Sequence, residues 1–253
     1  MSAARLEGRR LVHKYDGVVA LEYVDIVAEP GCITAVIGPN GAGKTTLFDV
    51  LSGIRIPDHG VVVLDGREIT ALTTDARARL GLARTFQHSS VFPTLTVEEN
   101  LRVGAENRSR TGTLRGFLGL PDPAAAAERE IVEHTLAELG LESVRRVPAG
   151  HLPTGTLRLV ELGRALCARP VALLLDEPVS GLGDAETAEL RAVLERLAAS
   201  GLTMLLVEHD LAFVREIADL VYVMATGRVI ASGSPDEVVE LATVRAAVPG
   251  AQA

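Results

Sequence analysis

Residues 32 to 46 of the chain have the sequence CITAVIGPNGAGKTT. The apolar run from Cys32 to Ile37 predicts a short buried strand, and the spacing of apolar residues from Lys44 to Leu51 predicts a helix. The intervening Gly38 to Thr45 fits the pattern G-x-x-x-x-G-K-[ST], in the strand–loop–helix context that a phosphate-binding loop requires. The stretch therefore predicts an α/β protein with a nucleoside triphosphate site.

Each part of this loop has a chemical reason. Glycines let successive backbone N–H groups turn inward toward phosphate oxygens, and the following helix adds its positive N-terminus. Lys44, one of only two lysines among 25 basic residues, supplies a mobile cation for the β and γ phosphates, and the Thr45 hydroxyl is placed to ligate Mg²⁺. The residues predicted to bind the nucleotide are Gly38, Pro39, Asn40, Gly41, Ala42, Gly43, Lys44, Thr45 and Thr46.

Composition narrows the class of protein. The 253 residues are 47% hydrophobic but only 3% aromatic, with no Trp, which favours an aliphatic core of parallel strands covered by helices. A net charge of -8 argues against a nucleic-acid-binding surface. No apolar run approaches the ~20 residues of a membrane helix, and the N-terminus shows no secretory signal. Cys32 and Cys167 fit small buried residues of a reducing cytosol better than a redox pair.

The chain alternates between strands and helices with one helical interruption, at about residues 88 to 168, and we find no internal repeat. Segment 107–121 within this interruption is predicted to be a surface loop that contains a short apolar stretch. The predicted strands are 10–13, 21–28, 32–37, 61–64, 82–86, 171–175, 202–207, 220–224 and 229–231. The predicted helices are 44–51, 97–105, 123–139, 157–168, 184–199, 211–217 and 235–241.

A second chemical motif follows a later strand. The apolar run Val171 to Leu175 leads directly into Asp176 and Glu177. A carboxylate at that place lies beside the phosphate loop, where Asp176 can hold a Mg²⁺-bound water. Glu177, one residue beyond the strand, is positioned to orient and polarise an attacking water. Strands that end in Asp are common, so this feature alone is weak evidence for a nucleotide site. It becomes strong evidence because the same chain contains a phosphate-binding loop.

Two further polar residues follow predicted strands. His209 comes two residues after the strand that ends at Val207, and open α/β sheets bind ligands at the carboxyl ends of their strands. It is therefore a candidate to contact the γ-phosphate and the attacking water. Gln87 follows the predicted strand 82–86, where its amide could reach Mg²⁺ or the water and link the nucleotide to the helical insert.

The order and spacing of these motifs resemble the nucleotide-binding subunit of ABC transporters, over about residues 5 to 248. The resemblance implies a P-loop NTPase core of the ABC ATPase type, with an N-terminal antiparallel β-subdomain and an inserted α-helical subdomain. It implies one domain, 1–253, with a RecA-like core at about 1–87 and 169–235, the insert at about 88–168 and a helical tail at 235–253. It also implies that Tyr15 stacks on adenine.

The same resemblance assigns Gln87 to the Q-loop, Asp176 and Glu177 to the Walker B motif, and His209 to the switch position. A sharper likeness is to the larger ATPase subunit of branched-chain amino-acid importers, although the segment 244–250 differs from the usual ending of that group. The segments that carry it are Arg84-Thr85-Phe86-Gln87-His88, Phe92, Thr96-Val97-Glu98-Glu99-Asn100, Leu206-Val207-Glu208-His209-Asp210 and Gly233-Ser234-Pro235-Asp236-Glu237-Val238.

Two segments depart from the family pattern. The signature motif, usually Leu-Ser-Gly-Gly-Gln, here consists of Leu152, Pro153, Thr154, Gly155 and Thr156. The usual Ser is missing and Pro153 removes a backbone donor, and Thr154 or Thr156 could supply a replacement hydroxyl. The D-loop, usually Ser-Gly-Leu-Asp, has Gly183 in its last place. In the family both segments act on the ATP bound by the partner subunit.

The resemblance therefore implies an ATPase that uses ATP and Mg²⁺ and drives import through a separate membrane permease. A second ATPase subunit, different or identical, would complete a head-to-tail dimer, and an extracytoplasmic solute-binding protein would take part indirectly. The chain would lie at the cytoplasmic face of the cell membrane. Three alternatives remain: the ATPase of a lipopolysaccharide-type exporter, a soluble ABC-type ATPase of DNA repair or chromosome organisation, and a regulatory subunit that binds ATP without hydrolysing it.

Overall fold

The computed structural model describes residues 4–85, 91–106 and 123–238. It divides into two compact units. The first comprises Met1–Arg84, Val171–Pro178 and Leu194–Ala253, and the second comprises Thr85–Pro170 and Val179–Val193. The described residues form two β-sheets and a separate group of helices, as expected for the predicted α/β fold.

The N-terminal sheet of the first unit is antiparallel. Its four strands lie in the order β2-β1-β4-β5, with β1 paired to both β2 and β4. The strands are β1 (Leu6–Tyr15), β2 (Val18–Ala28), β4 (His59–Leu64) and β5 (Arg67–Glu68).

The second sheet of this unit is mostly parallel and has the order β10-β9-β3-β8-β7-β6. Strands β6, β7, β8, β3 and β9 pair in parallel, and β10 returns antiparallel to β9. All five residues of each of β3, β7 and β8 are buried, which explains why these strands are apolar runs in the sequence. The strands are β3 (Ile33–Ile37), β6 (Leu82–Arg84), β7 (Ala172–Asp176), β8 (Thr203–Val207), β9 (Leu220–Ala225) and β10 (Arg228–Gly233).

Helices α1 (Lys44–Ser52), α2 (Thr74–Arg79) and α7 (Leu211–Ile217) belong to the first unit. Leu47 and Phe48 of α1 are fully buried and join the core that also contains Val36 of β3. Packing against the parallel sheet therefore fixes the helix that follows the phosphate loop.

The second unit is helical. It contains α3 (Val97–Glu106), α4 (Pro123–Glu138), α5 (Thr154–Cys167) and the 3-10 turns Glu142–Val144 and Ala149–His151. Helix α6 (Asp184–Ala199) contributes residues to both units. Gly104 of α3 lies so close to the carbonyl oxygen of Arg164 in α5 that a Cβ would overlap it. None of the helices in the described part of the chain is long and apolar enough to cross a membrane.

Several element boundaries differ from the sequence prediction. Strand β1 covers Leu6–Tyr15, whereas the predicted strand covers only residues 10–13. The alternation pattern reveals only part of this strand, because Arg10 has φ 49° and register shifts interrupt its pairing with β2. Helix α5 begins at Thr154 rather than at residue 157. Helical structure is described at 235–238, and the rest of the predicted helix 235–241 and the segment 107–121 lie outside the described residues.

Sequence analysis missed β5 and α2, which are too short to show a clear period. Helix α2 has only six residues, yet it carries the fully buried Arg77. Its guanidinium donates to four backbone carbonyl oxygens, those of Val50, Leu51, Thr70 and Leu72. Two of these belong to the last turn of α1, where a cation complements the helix dipole. Burial lowers the pKa of Arg77 to about 10, so the side chain is charged at neutral pH.

We expect Arg77→Met to lower the free energy of unfolding by about 3 kcal/mol or more, because it leaves several buried carbonyl groups without donors. Arg79→Met on the same helix removes only an exposed ion pair with Asp75 and should cost less than about 0.5 kcal/mol. Urea denaturation followed by circular dichroism measures both. Equal denaturation midpoints for the two variants would show that Arg77 is not the main anchor of α1.

Candidate nucleotide-binding site

The predicted phosphate loop and the predicted catalytic residues follow three neighbouring parallel strands. The loop 38–43 follows β3, Glu177 follows β7, and His209 comes two residues after the end of β8. Val207 of β8 pairs with Val36 of β3 on one side and with Asp176 of β7 on the other. The pairing therefore places all three segments at the same edge of the sheet.

The phosphate loop has a backbone that only glycine adopts easily. Gly38, Gly41 and Gly43 have φ values of 151°, 79° and 100°. At Gly43 a Cβ would also lie 2.5 Å from the carbonyl oxygen of Ala20. Gly43 is the N-cap of α1, and the first turn of that helix contains no acidic residue. The positive end of α1 is therefore not neutralised by a carboxylate of its own first turn.

Lys44 lies over the loop that precedes it. Its Nζ donates to the carbonyl oxygens of Gly38, at 2.7 Å, and Pro39, at 3.0 Å, and the residue is 9% exposed. Burial lowers the pKa of Lys44, while the charges of Glu177 and Asp176 raise it. Pro39, Asn40, Gly41 and Thr45 are exposed, so the loop surface and the proposed Mg²⁺-binding hydroxyl are accessible to a ligand.

Glu177 is held in an unusual backbone conformation. Its φ of 48° lies in the left-handed region, and its N–H donates to the carbonyl oxygen of Val207 at 3.0 Å. Strained backbone of this kind is costly for a residue with a side chain and concentrates at functional sites. The hydrogen bond to β8 holds the Glu177 backbone in place immediately beyond the strand.

His209 lies close to two carboxylates. Its Nδ1 is 4.0 Å from Oε1 of Glu177 and 3.8 Å from Oε2 of Glu208. The histidine side chain is 65% exposed, whereas those of Glu177 and Glu208 are 23% and 0% exposed. The Asp210 side chain accepts from the backbone N–H groups of Ala212 and Phe213 and caps α7. Asp210 thus begins a helix, while His209 beside it is presented to solvent.

Asp176 lies at the buried end of β7, where it is 5% exposed. Its Oδ2 accepts from Nη2 of Arg84 at 3.1 Å. Burial raises the pKa of Asp176, and the hydrogen bond and charge of Arg84 oppose that rise. Sequence analysis used Arg84 only as part of a resemblance and gave it no role in the site.

The oxygen donors at this edge suit Mg²⁺. Magnesium takes oxygen ligands and is usually bound through one or two carboxylates together with substrate phosphates. Asp176 offers the carboxylate and Thr45 an exposed hydroxyl, while the phosphate loop would hold the phosphates. These residues therefore fit the ion that the sequence predicts.

Tyr15 is the last residue of β1, before a turn in which Asp16 and Gly17 have positive φ. The guanidinium carbon of Arg55 lies 4.5 Å from the centre of its ring, and the ring of His13 contacts it edge-on at 4.8 Å. The two contacts hold the ring in place. The proposed stacking on adenine stays a prediction.

The signature segment lies in the second unit and begins α5. Pro153 is the N-cap of this helix and makes no side-chain cap, and Thr154 is exposed. The N–H of Gly155 donates to Oε1 of Glu186 at 3.0 Å, while the N–H of Gly183 donates to Oε2 of the same residue at 3.1 Å. One carboxylate therefore joins the signature segment to the D-loop.

Glu186 is a residue that sequence analysis missed, although a signal for it exists. The carbonyl of Gly183 accepts from the N–H of Thr187, so Gly183 is the N-cap of α6 and Glu186 stands three places later. A glutamate at that place commonly reaches back to the N-cap N–H, as in the capping box. Gln87, assigned to catalysis and Mg²⁺ binding from the sequence, lies outside the described residues.

Comparison with known proteins identifies the class. The family model described as ABC transporter matches residues 21–180, and the chain belongs to this family. It is an ATPase of the ABC type, as the phosphate loop and the acidic end of β7 predict.

Similar relatives span nearly the whole chain. BraF of Pseudomonas aeruginosa, a high-affinity branched-chain amino acid transport ATP-binding protein, is 37% identical over 242 residues, which cover 94% of each chain. LivG of Escherichia coli, which carries the same description, is 35% identical with the same coverage. Among solved structures, a nucleotide-free ATP-binding cassette from an ABC transporter has a TM-score of 0.82 and 32% identity over 95% of each chain. A cassette in its ADP conformation has a TM-score of 0.81 and 32% identity over 94% of each chain.

We expect Lys44→Ala to abolish detectable ATP binding, because it removes the main cation at the phosphate loop. Lys44→Arg should also fail, since a planar guanidinium does not replace a compact ammonium on the loop carbonyls. Fluorescence titration with a labelled nucleotide measures the affinity, and a circular dichroism spectrum checks the fold. Unchanged nucleotide affinity in Lys44→Ala would contradict the assignment of the phosphate loop.

Proposed function

We propose that this chain is the ATP-hydrolysing subunit of an importer for branched-chain amino acids or related amides, acting through a separate membrane permease. The similarity to BraF and LivG over 94% of the chain supports this solute class. The single observation that carries the hydrolytic role is the placement of the phosphate loop, Asp176, Glu177 and His209 at one edge of the parallel sheet.

Binding rests on the loop 38–43 and the start of α1. Backbone N–H groups and the positive helix end would hold the phosphates, and Lys44 would leave its carbonyl partners to contact the β and γ oxygens. Tyr15 would stack on the adenine ring. Thr45 and Asp176 would hold Mg²⁺, which when bound neutralises charge on the phosphates.

Hydrolysis requires a water aligned with the γ-phosphate. Glu177 is the candidate to orient that water and accept its proton, because it stands directly beyond β7 on a backbone fixed by Val207. His209, exposed and 4.0 Å from Glu177, is placed to contact the γ-phosphate or the same water. Gln87 would report the state of the nucleotide to the helical insert.

Transport requires a second ATPase subunit, so that each phosphate loop faces the partner's signature segment. The signature residues Leu152, Pro153, Thr154, Gly155 and Thr156 would then act on ATP bound by the partner. Closing and reopening of the pair would drive the permease at the cytoplasmic face of the membrane, and a solute-binding protein would deliver the solute on the other side.

We expect Glu177→Gln to retain ATP binding but to reduce turnover by ~10²-fold or more, because the positioned base is lost. ATP-bound closed dimers should accumulate, since hydrolysis reopens the pair. Phosphate release and light scattering with Mg-ATP are the two measurements. Turnover equal to that of the unmodified protein would place the base elsewhere, with His209 as the next candidate.

We also propose that the partner is a different ATPase and that the two ATP sites are unequal. The site built on this chain's phosphate loop has all the expected groups, whereas the opposite site receives Pro153 and a D-loop with Gly183 in place of Asp. Loss of one well-placed donor to a transition-state oxygen costs on the order of 10²-fold in rate. In the assembled transporter, Glu177→Gln should stop transport, while the equivalent change in the partner should only slow it.

The comparison is made with each lesion alone, in vesicles that take up the solute. Equal loss of transport from the two lesions would contradict the asymmetry. A homodimer of this chain as active as the full complex would do the same, and would show that the signature with Thr154, Gly155 and Thr156 is a competent variant.

A further inference from the structure

The side chain of Arg84 is almost buried and joins two acidic residues of the first unit. It is 8% exposed, and its Nη1 donates to Oδ1 of Asp49 at 2.7 Å while its Nη2 donates to Oδ2 of Asp176 at 3.1 Å. Nη1 also donates to the hydroxyl of Ser52 at 3.2 Å. The guanidinium carbon lies 5.6 Å from the ring centre of buried Phe48. Arg84 therefore ties the end of β7 to the helix that follows the phosphate loop.

The contacts on α1 fix the position of the guanidinium. Asp49, Ser52 and Phe48 all belong to this helix, and Asp49 is itself 3.7 Å from Nε of Arg55. A guanidinium is planar and presents its donors in a rigid fork. With one arm of the fork held by α1, the other arm approaches Asp176 from a set direction.

We propose that Arg84 is a positioning residue for Asp176, which orients that carboxylate toward the Mg²⁺ of the bound nucleotide. A carboxylate held through Oδ2 cannot rotate freely about its Cβ–Cγ bond, so the direction of Oδ1 is also fixed. Arg84 touches neither the nucleotide nor the ion in this proposal and acts only through Asp176. The inference rests on the proposed Mg-ATP site.

Two alternatives make different predictions. If Arg84 serves only the stability of the fold, its loss lowers the unfolding midpoint without changing the Mg²⁺ requirement. If its positive charge mainly repels the ion, its loss lowers the Mg²⁺ concentration needed. Orientation of Asp176 predicts the opposite, a higher Mg²⁺ requirement that depends on the presence of Asp176.

The test measures Mg²⁺ dependence in Arg84→Met, Arg84→Lys and the control Arg79→Met, which removes an arginine with an exposed ion pair. The readouts are the Mg²⁺ concentration for half-maximal ATP hydrolysis and the binding of Mn²⁺ to the ADP complex, followed by electron paramagnetic resonance. We expect Arg84→Met to raise both concentrations about tenfold, because a charge-assisted hydrogen bond is lost. Arg84→Lys keeps the charge without the fork, so its Mg²⁺ and Mn²⁺ concentrations should lie between those of Arg84→Met and the unmodified protein. Arg79→Met should give the same concentrations as the unmodified protein.

A double-mutant cycle with Asp176→Asn decides whether the effect passes through that residue. In the Asp176→Asn background, Arg84→Met should change Mn²⁺ binding by less than about twofold. If Arg84→Met does not fold, Asp49→Ala replaces it; this change removes the acceptor of Nη1, releases one arm of the fork and should raise the Mn²⁺ concentration about threefold.

Three results would overturn the inference: an unchanged metal requirement in a folded Arg84 or Asp49 variant, a lowered requirement, or an equal effect with and without Asp176. ATP affinity in EDTA separates this inference from the proposed function. An unmodified protein that binds no ATP contradicts the function itself, whereas normal ATP binding with an unaltered metal requirement in Arg84→Met contradicts only the role of Arg84.

Discussion

The parallel pairing of β3, β8 and β7 is the constraint on which the site depends. Val207 pairs with both Val36 and Asp176, and the N–H of Glu177 continues the pairing beyond β7 by donating to Val207. Parallel strands end at the same edge of a sheet. The strand pairing by itself therefore brings the phosphate loop, the carboxylates and His209 together at this edge. The buried aliphatic residues of these strands thus position the polar residues that follow them.

The sequence predicts this part of the molecule well because strand and site are continuous in the chain. The run 32–37 leads into the phosphate loop, 171–175 into Asp176 and Glu177, and 202–207 into Glu208 and His209. Apolar runs of this length are typical of buried parallel strands, and the glycine pattern is specific for a phosphate-binding loop. Pattern, order and family resemblance therefore predicted both the fold class and the edge at which the site lies.

Two of the residues that sequence analysis missed, Arg84 and Arg77, act over long separations. Arg84 is 35 residues from Asp49 and 92 from Asp176, and Arg77 reaches carbonyl groups 26 and 27 residues away. An arginine has the same local signature on an exposed helix and in a buried bridge, so neither periodicity nor motif distinguishes them. Helix α2 adds a second difficulty, because six residues span less than two turns. Only the three-dimensional packing identifies these two arginines as buried cations.

The two departures from the family pattern also become clearer when the contacts of Glu186 are considered. An aspartate is missing at Gly183 and a donor is lost at Pro153, but the N–H groups of Gly183 and Gly155 share one carboxylate. Arg158 of α5 adds a contact from its guanidinium to the carbonyl oxygen of Ser180, at 3.4 Å. The D-loop and the signature segment are therefore joined within the second unit by residues outside either motif. Both departures from the family pattern therefore lie in backbone segments that share Glu186 as a hydrogen-bond acceptor, a link that the two sequence motifs do not contain.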